Sequence, residues 1–114
     1  MTTKREIWKV RAVKPYPDAH NHLLIGQMLE HDASHVRMTC RTFHYGRLVN
    51  SVKDIGMGEI ATRRIPWDRI EIVNELTSGF DFKTARLRMD AQGKIHLTDG
   101  DNSCLIASVG STTY

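Results

Sequence analysis

The chain is poor in cysteine, proline and aromatic residues and has no long apolar run. Two cysteines in 114 residues cannot build a disulfide framework, so the fold must stand on a hydrophobic core. Both Cys40 and Cys104 sit in alternating apolar stretches, where a thiol behaves as a small buried hydrophobe. The most apolar run, Leu23-Leu24-Ile25, is far short of the roughly 20 residues that cross a bilayer. No membrane partner is therefore expected. The opening residues Met1 to Glu6 carry charge with no apolar stretch behind them; this predicts no signal peptide and a cytoplasmic address.

Catalytic motifs are missing as well. There is no Gly-x-Ser-x-Gly elbow, and Gly56-Met57-Gly58-Glu59 lacks the Lys-Ser/Thr of a phosphate-cradling loop. Asp99-Gly100-Asp101-Asn102-Ser103 offers the first oxygen ligands of a calcium loop. However, Cys104 stands where glycine should turn the chain, and Gly110 where a bidentate glutamate should close the site. That segment reads as a turn. The expectation is a protein without enzymatic activity and without an obligatory cofactor.

What is present is an ordinary globular composition. Hydrophobic residues make up 40% and charged residues 25%, enough for one packed domain over 1–114. The formal net charge is +3, and it is unevenly spread. Residues 1–14 hold Lys4, Arg5, Lys9, Arg11 and Lys14 against Glu6 alone, while residues 95–114 hold Asp99 and Asp101 and no Lys or Arg. Such a balance permits an anionic partner.

Period-two alternation dominates the pattern and predicts strands with one face inward. Trp8, Val10 and Ala12 alternate with Lys9 and Arg11, and Val36, Met38, Cys40 and Thr42 with Arg37, Thr39 and Arg41. Residues 22–30 form a more apolar strand interrupted by Gly26, where a bend or close backbone approach is expected. Residues 85–97 read as a hairpin turning at Asp90 to Lys94, with Gly93 for the left-handed position. Residues 103–109 make a last strand. Ile70, Val73 and Leu76 have helical spacing between Pro66 and Gly79. The β-branched run Ile70, Ile72, Val73 instead favours a strand entered through a short 3₁₀ turn, and the strand is preferred.

Two segments resemble the Sm-like (LSm) small barrels. Gly26, Met28 and Asp32, followed by Val36, Met38 and Cys40, match that family's first motif in type and spacing. Arg63-Arg64-Ile65, leading to Ile70 and Ile72, looks similar to its second. The resemblance covers residues 24–43 and 59–73. It departs where the family's base-holding asparagine falls on Val36, and where its stacking side chain falls on Ser34 unless a one-residue slip brings in His35. The Ile65-Pro66-Trp67 ending also resembles the PRC-barrel adaptors. The expected fold is thus all-β: a small SH3-like or Sm-like barrel over 5–77 with an appended C-terminal β-hairpin and strand at 80–110.

The resemblance implies RNA as a possible partner and homo-oligomerisation through strand edges. The outward cations suggest the contacts. Lys9 and Arg11, Arg37 and Arg41, and Arg86 and Arg88 each share a strand face, and would form a basic plate if their strands were neighbours. With Arg63 and Arg64 they are the candidate phosphate contacts, and His35 or Tyr45 the candidate stacking rings. A protein partner is the alternative, with Trp67 and the 44–58 loop as contacts. A third reading uses His20, His22, His31 and His35 as ligands to zinc.

Overall fold

The computed structural model describes residues 5–111. In chain order the strands are β1 (Glu6–Ala12), β2 (Asn21–His31), β3 (His35–Tyr45), β4 (Leu48–Val49), β5 (Gly56–Met57) and β6 (Ala61–Pro66). They continue with β7 (Ile70–Leu76), β8 (Arg86–Met89), β9 (Lys94–Thr98), β10 (Ser103–Ser108) and β11 (Gly110–Ser111). The protein is all-β, and every pairing is antiparallel.

The main sheet runs β6–β3–β2–β1–β7, with β5 continuing the β6 edge. Its two outer strands are consecutive in sequence, joined through a 3₁₀ turn at Trp67–Arg69. Pro66 opens that turn, and the β-branched run after it extends, as the sequence preference predicts. Among the described residues no hydrogen-bond ladder joins β6 to β7, so the sheet curls without closing. Ile65 of β6 and Val73 of β7 nevertheless pack into one cluster with Trp8, Val10, Leu24, Val36, Met38 and Cys40. These are the residues that alternation places inward.

The opposite face of the same sheet is buried too. Ile7, Leu23, Ile25, Phe43 and Tyr45 pack against Phe80, Phe82, Ile95, Leu97 and Ile106. Burial of Phe80 and Phe82 contributes about 1.5–3 kcal/mol each. Strands β8, β9 and β10 form a separate three-stranded sheet, the appended hairpin and strand, laid across this second face. Gly93 adopts φ 79° in its turn, as expected.

Two side chains clip the sheets together. A register shift between Leu105 and Ala107 bulges β10 and turns consecutive carbonyls toward the main sheet. Lys9 Nζ donates to Leu105 O at 2.7 Å, and Tyr45 Oη donates to Ile106 O at 2.9 Å. Gly26 fits a close approach of another kind. A Cβ there would meet Thr39 O and lie 2.5 Å from Cys40 Cα.

Both thiols are buried. Burial raises the pKa of each, that of Cys104 to about 11, so neither is poised as a nucleophile. No helix among the described residues is long and apolar enough to cross a membrane.

Candidate nucleic-acid interface

The expected basic plate does not form. Strand β2 separates β1 from β3, and Arg86 and Arg88 lie on the other sheet. The face that carries Lys9, Arg11, Arg37 and Arg41 also carries the apolar residues packed under β8–β10. Lys9 is used as a clip. Arg37 Nε donates to Glu30 at 2.9 Å, and Arg41 reaches the sulfur of Met57. Arg63 faces the other way, and its guanidinium donates to the carbonyls of Cys40 and Glu59. Arg64 stays exposed, opposite Arg37 in the ladder.

Of the two expected stacking rings Tyr45 is buried, while His35, at the start of β3, is partly exposed. Tyr45 is 2% exposed, with its hydroxyl committed to Ile106. His35 borders the β2–β3 turn, its Nδ1 3.0 Å from Ser34 Oγ and 3.5 Å from Asp32. That turn is organised by the Asp32 carboxylate, which accepts from the N–H groups of Ser34 and His35 and from the Ser34 hydroxyl. The Ser34 N–H, then that of His35, holds its pKa at about 2. Trp67 donates its indole N–H to Asp32 O at 2.7 Å, and His31 packs edge-on to Trp67. The adaptor residue Trp67 is thus an anchor of this turn.

The four histidines expected to share a metal are split between the ends of the β2–β3 hairpin. His22 pairs with His44 at one end, and His31 with Val36 at the other. Among the described residues no three His, Cys, Asp or Glu side chains are arranged to hold a metal ion. Asp99 likewise serves a turn. The N–H groups of Asp81 and Asn102, the two largest contributors, and that of Asp101 hold it near pKa 2.

Two cavities adjoin the loop between β1 and β2, one on each side. The first is a cleft of about 460 Å³ lined by Arg11, Lys14, Arg47, Asp18 and Glu71, with the buried Asn21 at its wall. Its geometry comes from two local features. The β1–β7 register slips between Arg11 and Ala12, and the loop folds back with Ala19 N donating to Tyr16 O. Arg47 pairs with Asp18 at 3.5 Å across the mouth. A smaller groove of about 340 Å³ shares Arg11 and Glu71 and is also lined by Lys9. Sequence reasoning had Lys9 and Arg11 from the alternation but missed Lys14 and Arg47, which sit in loops that carry no periodic signal.

The second cavity, about 480 Å³, is lined by Pro15, Tyr16, Ala19, His20, His22 and His44. The His22 and His44 rings stand 5.8 Å apart at 25°, and His20 and His44 6.4 Å apart at 15°. His22 titrates below its ordinary range because of partial burial, then the neighbouring His44 and His20. His44 rests against Gly56, where a Cβ would collide with its imidazole. The cross-strand His22–His44 register could be read only once the hairpin was known.

Neither the family models, nor the curated proteins, nor the solved structures contain a match to this chain.

Proposed function

We propose that this chain is a non-enzymatic binding module for RNA, with the phosphate track along the cleft beside β1. The observation that carries the reading is the convergence of Arg11, Lys14 and Arg47, from one strand position and two loops, on one cleft. Asp18 and Glu71 are the carboxylates set against them. A cationic groove of this kind raises the local concentration of a polyanion. The resemblance of residues 24–43 and 59–73 to Sm-like barrels agrees with it.

Salt dependence tests the proposal. Three phosphate contacts on a single strand give a slope of log affinity against log salt of about −2.1. Raising salt from about 50 to about 200 mM then weakens binding about 20-fold. The double variant R11Q/K14Q should reduce the slope to about −0.7. Absence of binding to an unstructured oligoribonucleotide at low salt, or a slope unmoved by the variant, refutes the reading.

One observation favours assembly as a second reading. β7 has β1 as its only ladder partner among the described residues, and Ile72 on that edge strand is 51% exposed. An open edge beside an apolar side chain suits pairing with a second copy. Sedimentation over a wide concentration range decides this; a monomer throughout removes it.

A further inference from the structure

We propose that Tyr16, His20, His22 and His44 form a stacking shelf for unpaired nucleobases, so that the protein selects single-stranded over duplex polymer. The proposal rests on the reading of the adjoining cleft as the phosphate track. Three features carry it beyond that reading.

The rings are exposed and aligned. His20 and His22 stand 6.4 and 5.8 Å from His44 with interplanar angles of 15° and 25°, so each ring plane lies close to that of His44. Tyr16, at 62% exposure, is an aromatic ring with little packing of its own to lose. A flat base covers such faces with little regard to its identity, because every base has a π face.

The shelf also adjoins the cationic cleft. Both are built on the one loop: Pro15, Tyr16 and Ala19 line the shelf, while Pro17 and Asp18 line the cleft. A strand whose phosphates follow the cleft has its bases free to turn over this loop. A duplex holds its bases inside and cannot reach the rings.

Finally, the shelf is held in place. Gly56 in β5 leaves room for the His44 imidazole, since any Cβ there would occupy the ring's position. Partial burial and mutual repulsion keep His22 uncharged near neutral pH, which suits stacking more than phosphate capture. The shelf lies at the opposite end of the β2–β3 hairpin from His35, where the sequence resemblance would have put a stacking side chain.

The test is fluorescence anisotropy with labelled probes of about 12 nucleotides, within the site size of a small β module. The probes are oligoadenylate, an abasic sugar–phosphate oligomer of the same length, and a duplex. The wild-type protein should bind oligoadenylate about 5- to 150-fold tighter than the abasic oligomer for each base stacked. It should bind the duplex more weakly than oligoadenylate. The variant Y16A/H44A should lose most of that ratio and keep the salt slope. Y16A alone, in an exposed loop, reports independently of folding and should lose part of it. Equal wild-type affinity for oligoadenylate and abasic oligomer, with the salt slope intact, overturns the shelf and leaves the cleft standing. No binding to any probe overturns both.

Discussion

Tyr45→Phe removes a single oxygen from the junction between the two sheets. Tyr45 is 2% exposed, and its hydroxyl donates to Ile106 O at 2.9 Å. The ring packing is retained, so the change isolates the hydrogen bond. Deleting the donor leaves the Ile106 carbonyl buried without this partner, a cost of about 1–3 kcal/mol. With about 2.1 cal/mol/K of unfolding entropy per residue over 114 residues, about 2 kcal/mol lowers Tm by about 8 °C. Urea denaturation followed by tryptophan fluorescence should show a lower midpoint with the m-value unchanged. Tyr16→Phe is the control: that ring is 62% exposed, and its change should stay within about 0.5 kcal/mol. A loss below about 0.5 kcal/mol for Tyr45→Phe would refute the claim that this bond clips the sheets.

Gly26→Ala should destabilise by about 1–3 kcal/mol or more, because its Cβ would meet Thr39 O and the Cys40 backbone. Gly79→Ala, with nothing within 4 Å of the added carbon, should be tolerated in the same melt. His22 has a folded pKa below its unfolded value of 6.5, so the unfolded chain takes the proton first. Stability is therefore lost as pH falls through 6.5 toward the folded value, and His22→Gln should flatten that part of a stability–pH curve. Asp32 and Asp99 behave as depressed carboxylates, from 3.8 to about 2. Their stabilisation is present above pH 3.8 and disappears toward pH 2, so Asp99→Asn should blunt the acid limb of the same curve. Gly56→Ala should displace the His44 ring, visible as a shifted imidazole resonance, and weaken the preference for oligoadenylate over abasic oligomer.

Much of the main sheet was legible because alternation reports one buried face directly. Trp8, Val10, Val36, Met38 and Cys40 fall where period two puts them. The close approach at Gly26, the turn at Gly93 and the strand after Trp67 followed from local stereochemistry. The second buried face was not legible. Ile7 shares its strand face with Lys9 and Arg11, and Phe43 shares its face with Arg37 and Arg41. Only a distant sheet docking there makes Ile7 and Phe43 core, and this turns Lys9 and Tyr45 from apparent ligands into structural donors. The candidate site was half legible for a related reason. Arg11, His20 and His22 stand out in sequence, whereas Lys14, Arg47 and His44 join them through loop closure and register.

The position of β1 also bears on how the chain is made. β1 precedes every other described strand in the chain, yet it lies between β2 and β7, and Lys9 reaches its acceptor 96 residues later at Leu105. At about 5–20 residues per second of translation, β1 waits about 5–20 s before all its neighbours exist. Until β7 has been made, β1 has only β2 to pair against, and the apolar side chain of Ile7 stays uncovered until the second sheet follows. The wait makes the nascent β1–β2 ribbon the segment most exposed to mispairing and to capture by a chaperone.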